Sequence, residues 1–517
     1  MERRESSPRE ARAGGAVSGP RRPALCYSAA RGWLNDPNGL VFFDGEYHLF
    51  FQYHPHGAMW GPMHWGHAVS EDLVAWRDLG IALEPDEKGV IFSGSAVVDE
   101  GDASRFFGGG AGLVVFYTAN RRVEGKESSV QEQCLAFSHD RGRTWTKYEG
   151  NPIIPNPGIV DFRDPKVFRH EQTGRWIMVV SGGDRALFYG SADLLDWRPL
   201  SEFTSEGYGP RSAVWECPDI LRFPCAMAGG RGGDLWLLKV SVTEGNPAGG
   251  SGEIVIPGRF DGIRFEALET GGFEWLDVGQ DCYASQSWHI PGSDRIVITS
   301  WMSNHSYAGE VPAGDDWRGI LSLPRELCVE PRGEAFAIIQ RTVREVARYA
   351  LESRTIIDGE LPARVDAPLP AGPAEIRLET RGSADFAMEF SSEDGDLLIV
   401  RCGGATEGRE MVLDRSAVGT PFSCRATAVQ RIALPDAGLR ELVIFYDGCV
   451  WQMFVNGGEI VSSNLVFPTS ALSRVSLERL EPLEPLEPLV PPGSAGDVRL
   501  TVTAYARRPE ARSSPGK

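Results

Sequence analysis

The sequence predicts an all-β chain: a five-bladed β-propeller followed by a C-terminal β-sandwich. Three observations carry that reading. Short runs of Val, Ile, Phe, Tyr and Trp are broken by turn dipeptides, and almost no stretch of ten or more residues shows helical periodicity. A Ser, an Asp and a Trp recur at similar offsets in Ser70-Glu-Asp-Leu-Val-Ala-Trp76, Ser138-His-Asp-Arg-Gly-Arg-Thr-Trp145 and Ser191-Ala-Asp-Leu-Leu-Asp-Trp197, as though one turn were repeated in successive units. A second series marks where each unit begins: Asn35-Asp-Pro-Asn-Gly39, Ser93-Gly-Ser-Ala-Val97, Arg163-Asp-Pro-Lys-Val167, Glu216-Cys-Pro-Asp219 and Asp281-Cys-Tyr-Ala284. Its steps are roughly 50–70 residues, somewhat longer than the usual propeller repeat of about 40–50.

Taken in order, residues 1–24 are rich in Arg, Ser, Gly and Pro and lack an apolar core followed by a small-residue cleavage site. They read as a disordered tail and not as a secretory signal, so the expected location is cytoplasmic. Five units of about four strands fill 25–338, and radial closure leaves few exposed sheet edges. The first unit opens with a hairpin, Gly39-Leu-Val-Phe-Phe and Glu46-Tyr-His-Leu-Phe-Phe-Gln-Tyr53, whose Asp44-Gly45 turn suits the positive φ angles of type I′. Asp164-Pro-Lys-Val-Phe168 and Trp176-Ile-Met-Val-Val180 make another. Residues 339–372 read as a linker with a short amphipathic stretch and several prolines. Residues 373–508 alternate strands and turns, as in Leu442-Val-Ile-Phe-Tyr, Asp447-Gly448 and Val450-Trp-Gln-Met-Phe-Val, the pattern of a β-sandwich. The Glu-Pro-Leu triplets at 481–489 read as an extended surface loop, and 509–517 as a second disordered tail.

A formal net charge of -19 repels nucleic acid and anionic membranes, and no run approaches the length of a membrane-spanning helix. Neither is expected as a partner; a neutral molecule such as a sugar fits better. Nine cysteines without any Cys-x-x-Cys spacing argue against a disulfide framework and against a structural zinc site, and favour a reducing compartment. Five of the nine histidines lie within 48–67, but a metal site needs a third ligand and supporting hydrogen bonds, so strand and loop hydrogen bonding is the better reading. No metal and no cofactor are expected.

Three carboxylates, Asp36, Asp164 and Glu216, read as occupying matching blade starts, each near a proline and ahead of an apolar strand. An acid facing a dry channel is costly, so these three either cap turns and pair with Arg163 and its neighbours or carry chemistry. Their recurrence with the repeat favours chemistry. Glycoside cleavage needs two carboxyl groups, one protonated to donate to the leaving oxygen and one ionised to attack or to activate water. Spacing does not say which acid does which.

The motifs Gly32-Trp-Leu-Asn-Asp-Pro-Asn-Gly39, Phe51-Gln-Tyr-His-Pro55, Trp65-Gly-His-Ala-Val-Ser70, Phe92-Ser-Gly-Ser95, Phe162-Arg-Asp-Pro165, Trp215-Glu-Cys-Pro-Asp219, and Trp317-Arg-Gly319 with Pro324-Arg-Glu326, in this order, resemble the motif set of glycoside hydrolase family 32. That family includes invertases, levanases and inulinases. The resemblance implies a retaining glycosidase that releases terminal fructose from levan, inulin or sucrose through a covalent fructosyl-enzyme. It makes Asp36 the nucleophile, Glu216 the general acid/base and Asp164 the residue that holds fructose hydroxyls. It also implies that Asn35, Gln52, Trp60, Phe92, Ser93, Arg163 and Trp301 line the terminal-fructose pocket, with Asp219 and Asp281 as polar supports.

Two physical expectations follow. Retention puts the carboxyl groups of Asp36 and Glu216 roughly 5–5.5 Å apart. Glu216, as the acid, needs its pKa raised by burial or by the anions Asp36 and Asp164. Cys217, beside Glu216, either tunes the acid or simply packs. Cys282 stands where the family commonly has an aromatic, and Gln452 where an acid is usual; neither departure touches the three key carboxylates. Trp60–His67 and Leu83–Ser95 resemble exo-acting fructan hydrolases more than phosphosucrose hydrolases, and no cluster of Lys and Arg marks a phosphate site. The rival readings are a fructosyltransferase, an inverting pentosan hydrolase on a similar propeller and a non-catalytic fructan-binding protein. The C-terminal module is expected to be structural, packed on the propeller's flank, and the sequence leaves the oligomeric state open.

Overall fold

A computed structural model describes residues 22–507 except 124, 126–128, 225–232, 269–271, 315, 333–334, 382–384, 406–407, 436–437 and 481–496. Residues 1–21 of the expected 1–24 tail, the second tail at 509–517 and the Glu-Pro-Leu triplets lie outside the described residues, whereas 22–24 are not a free tail: Arg22 donates to the carbonyls of Ala29 and Ala30, and the Ala24 N–H to Asp447.

Five antiparallel sheets follow one another along the chain. The first blade comprises Gly32–Phe43, Glu46–His54, His64–Ser70 and Trp76–Leu83; the second Val90–Asp99, Gly112–Arg121, Val130–Ser138 and Thr146–Lys147. The third comprises Phe162–His170, Arg175–Gly182, Arg185–Ser191 and Arg198–Thr204. The fourth is built on Trp215–Phe223, Leu235–Val242, Gly252–Phe260 and Phe265–Ala267, and the fifth on Tyr283–His289, Ile296–Trp301, Arg325–Arg332 and Ala335–Thr342. The opening strand of each sheet touches the opening strands of both neighbouring sheets, the fifth meeting the first, so the ring closes as a five-bladed propeller. A short strand, Trp317–Arg318, leaves the fifth blade and pairs in parallel with Gly32 and Trp33 of the first, latching the ring.

The repeated Ser-Asp-Trp segments are one turn used three times, between the third and fourth strands of the first three blades. In each, the serine hydroxyl donates to the aspartate (Ser70 to Asp72, Ser138 to Asp140, Ser191 to Asp193). The aspartate accepts two backbone N–H groups ahead of it, and the tryptophan indole closes the turn on a carbonyl three residues back. Side chains that satisfy a turn's own backbone explain why the pattern is so visible. In the first hairpin both Asp44 (φ 48°) and Gly45 (φ 86°) take the positive φ a type I′ turn demands.

Every opening strand carries a register break at an equivalent place. One more residue lies on that strand than on its partner between Leu34 and Pro37, Phe92 and Gly94, Arg163 and Lys166, Glu216 and Asp219, and Tyr283 and Gln286. These are β-bulges, which bend a strand and re-aim its side chains. Three place a non-glycine residue in the left-handed region: Asp164 (φ 67°), Cys217 (φ 47°) and Ala284 (φ 54°). Such a conformation costs about 1–3 kcal/mol and persists only where its surroundings impose it.

The segment 339–372 is not a linker. After Thr342 and a short 3-10 turn, Arg344–Tyr349, the strand Ala350–Glu360 pairs with Asp497–Tyr505, and Arg364–Pro368 pairs with Leu472–Arg479. Both are edge strands of the sandwich's two six-stranded sheets. Most side chains of Ala350–Glu360 face water, so the strand lacks the apolar alternation that would reveal it in sequence.

The sandwich core lies between its sheets, with Leu442, Ile444 and Tyr446 facing Phe386, Met388 and Phe390. The alternate residues Val443 and Phe445 pack on the propeller, so this unbroken apolar strand is buried on both faces. Asp277 receives Arg325 from the fifth blade and the backbone N–H and hydroxyl of Ser463 from the sandwich. Asp281 accepts Tyr307, Arg415 and the N–H of Leu465, which makes it an interdomain tie. Asp447 in turn accepts the N–H groups of Ala24, Leu25 and Cys26, fixing the described N-terminal end.

Candidate functional site

The five bulges bring one side chain from each blade into a single cluster: Asp36, Ser93, Asp164, Glu216 and Tyr283. Asp36 accepts Asn35 Nδ2 at 2.9 Å on one oxygen and Ser93 Oγ at 2.6 Å on the other. Asp164 Oδ2 accepts the Cys217 N–H at 2.9 Å, and the Cys217 thiol lies 3.5 Å from Asp36 and 3.6 Å from Asp164. Arg163 binds Glu216 Oε1 through Nη2 (2.7 Å) and Nε (3.2 Å), and also engages Asp161. On its other oxygen Glu216 accepts the Tyr283 hydroxyl, with His305 Nε2 at 3.5 Å.

The three acids are not in strict register. Asp36 and Asp164 lie within their bulges, just ahead of a proline, whereas Glu216 sits at the last paired residue before its bulge, opposite Ser241, as Arg163 and Tyr283 do in theirs. The fifth blade therefore presents Tyr283, not Asp281, to the cluster. Aligning the motifs on their prolines would have shown this offset.

Burial raises Asp36, and nearby Glu216 adds to it against the hydrogen bonds from Ser93 and Asn35. Burial also pushes Asp164 up to about 7, although Arg163 pulls the other way. Glu216 runs opposite to the expectation for an acid. Burial works to raise it, but His305, Arg163 and Tyr283 together outweigh burial and hold it below the usual carboxylate range. Of Asp164 and Glu216, Asp164 is the one whose surroundings favour the protonated form.

The remaining expected pocket residues divide by position. Phe92 faces Trp60 across 6.4 Å, and Trp60, 57% exposed, stands at the rim. Trp301 is buried edge-on to Trp33 and near His305. Gln52 is buried and donates to the Ile91 carbonyl at 2.9 Å, joining the first two blades. Asp219 lies deeper, bound by Lys166 and Ser287. His48 and His67 hydrogen-bond each other beside Phe50, while His54 and His64 bond to the carbonyls of Met59 and Pro62.

Residues 27–340 match the N-terminal domain, and residues 358–481 the C-terminal domain, of glycosyl hydrolases family 32. The chain belongs to this family. It is 41% identical over 459 residues to a levanase of Bacillus subtilis (strain 168), covering 86% of this chain but only 66% of that protein. Among solved structures, the exo-inulinase of Aspergillus awamori superposes with a TM-score of 0.83 at 28% identity, over 95% of this chain and 99% of that one. The β-fructofuranosidase of Schwanniomyces occidentalis, complexed with fructosyl-erythritol, gives 0.79 at 27% identity, over 94% and 98%.

Three groups at this family 32 site stand outside the family motifs quoted from the sequence. Tyr283 and His305 touch Glu216 directly. Lys239, buried in Leu235–Val242, donates to the carbonyls of Cys217 (2.8 Å) and Ser285 and pairs with buried Glu253 at 3.6 Å. Glu253 accepts the Ser285 N–H at 2.5 Å. The Lys239–Glu253 pair thus ties the bulges of the fourth and fifth blades together. A lone charge in the run Leu-Trp-Leu-Leu-Lys-Val-Ser-Val was its signal in the sequence.

Proposed function

We propose that this chain is an exo-acting β-fructosidase that releases terminal fructose from levan, inulin or sucrose with retention of configuration. The observation that carries the reading is the convergence of Asp36, Asp164 and Glu216, from three blades, in one cluster, with the Arg163 guanidinium on Glu216 and beside Asp164. The activities named for the relatives, and the fructosyl-erythritol in the Schwanniomyces enzyme, favour a fructoside as substrate.

In the reaction, the Asp36 carboxylate attacks the anomeric carbon while Glu216 gives its proton to the leaving oxygen. A water then loses a proton to Glu216 and its oxygen displaces Asp36, returning both acids to their starting states. The N–H and O–H groups on Asp36 hold it for attack, and its negative charge favours the oxocarbenium character of the transition state. Asp164 takes the hydroxyls of the terminal fructose. Those donors favour its carboxylate, and the anion so formed, with water excluded by the sugar, raises the proton affinity of Glu216. Substrate binding thereby moves the site's proton from the holding acid to the donating one.

The test is anomer-resolved NMR of the products from sucrose, levan, inulin and arabinan, with Asp36→Ala and Glu216→Ala as controls. β-Fructofuranose should appear first from the fructosides, and neither variant should release it. The α-anomer appearing first would remove the covalent route. Oligosaccharide binding without turnover in all three proteins would make the chain a binding module.

A further inference from the structure

His305 has no part in the roles above, yet its position is closely specified. It lies in the loop that follows Trp301 in the fifth blade, where fully buried Asn304 anchors the backbone. Asn304 Nδ2 donates to the carbonyls of Gly249, Ser251 and Gln280, and its Oδ1 accepts the N–H groups of Ser251 and Ser306. The His305 N–H donates to Ser251 Oγ at 3.0 Å. The imidazole leans on the Tyr283 ring, centroids 4.4 Å apart, and its Nε2 lies 3.5 Å from Glu216 Oε2. Tyr283 and Trp301 are buried, whereas the His305 side chain is 40% exposed, so it stands between the acid and solvent.

The two oxygens of Glu216 are not equivalent. Oε1 is engaged twice by a guanidinium that cannot give up its protons at working pH, so Oε2, which accepts from the Tyr283 hydroxyl, is the oxygen left to exchange one. A group beside Oε2 and open to solvent borders the place where a leaving group departs. Nearby, Arg318 bonds to the Gly309 carbonyl (2.6 Å) and to Met59 Sδ (3.0 Å), joining this loop to the one that carries Trp60. The His305 loop and the Trp60 loop thus form one continuous stretch of rim.

We propose that His305 forms the leaving-group side of the pocket, holding Glu216 Oε2 toward the bond to be broken and contacting the sugar attached to the terminal fructose. This rests on Glu216 being the acid. His305 would be a specificity-determining residue, acting on what precedes fructose and not on fructose itself.

The test is steady-state kinetics of His305→Ala and His305→Gln on sucrose, inulin and levan, with free fructose as competitive inhibitor. For His305→Ala, kcat/KM should fall by about tenfold or more, by unequal factors across the three substrates, while the fructose Ki stays within about twofold of wild type. An unchanged Ki also shows that the pocket is folded. Glutamine, which keeps a donor, should restore part of the loss. Values of kcat/KM within about twofold of wild type on all three substrates would overturn the proposal, as would a fructose Ki that rises in step with the loss. Glu216→Gln separates the two readings. Wild-type turnover in it would dismiss Glu216 as the acid, whereas an inactive Glu216→Gln beside an unaffected His305→Ala would dismiss His305 alone.

Discussion

Two ion pairs cross the seam between the third and fourth blades, three residues apart on the same two strands. The lower joins Lys166 to Asp219 at 2.9 Å. Asp219 also accepts the N–H and hydroxyl of Ser287 and the N–H of Ile220, and Lys166 donates to the Ser287 hydroxyl, so one charge of each sign is matched and surrounded by donors. The upper joins Arg163 to Glu216 at 2.7 Å, but the same guanidinium also serves Asp161 and lies 4.0 Å from Asp164, with Asp36 in the same cluster. Here acids outnumber cations. A balanced buried pair fixes a structure; an excess of acid leaves protons that a reaction can move.

Breaking the upper pair should have the largest effect, and on catalysis. Glu216→Gln should lower kcat/KM on sucrose by about 10²–10⁴-fold, the usual contribution of a general acid, and should move the urea unfolding midpoint less than loss of the lower pair does, because Asp161 and Asp164 still face Arg163. Breaking the lower pair should do the reverse. Lys166→Met leaves Asp219 buried without its partner and should cost about 3–5 kcal/mol in equilibrium unfolding, with the pH–rate profile of the folded enzyme unchanged.

The smallest effect concerns Asp164. Its folded pKa of about 7 lies above the ordinary 3.8, so above pH 4 the unfolded chain releases a proton that the folded chain keeps. Stability is therefore lost progressively as pH rises from about 4 to 7 and is level beyond. Asp164→Asn should remove that loss, so that its unfolding free energy no longer falls between pH 4 and pH 7 as the wild type's does. Urea unfolding across this range checks it. Glu216 works in the other direction: its lowered pKa contributes stability at neutral pH that disappears as the solution is acidified.

What the sequence displayed was what the backbone demands locally. The Ser-Asp-Trp turns, the Asp44-Gly45 hairpin and the prolines behind the bulges each satisfy a nearby constraint and so recur in recognisable form. The ring itself was legible through that recurrence. The one-residue offset of Glu216 was legible only against the prolines, because a bulge changes which residues face the channel without changing which residues are present. Tyr283 was hidden behind its neighbour Asp281, which resembles the other acids in sequence but turns to the sandwich. His305 and Lys239 owe their positions to partners distant in sequence, Ser251 for one and the bulges of two blades for the other. The edge strand Ala350–Glu360 escaped because water, not a core, meets most of its side chains.

The seating of Ala24, Leu25 and Cys26 on Asp447 has a consequence in time. The two ends of that contact are separated by 421–423 residues of chain. At a ribosome delivering about 5–20 residues per second, the entry to the first blade waits on the order of 20–80 s for the carboxylate that anchors it. During synthesis the nascent ring is complete in composition before its starting segment is fastened. The sandwich, made after the ring, fastens the ring's first segment.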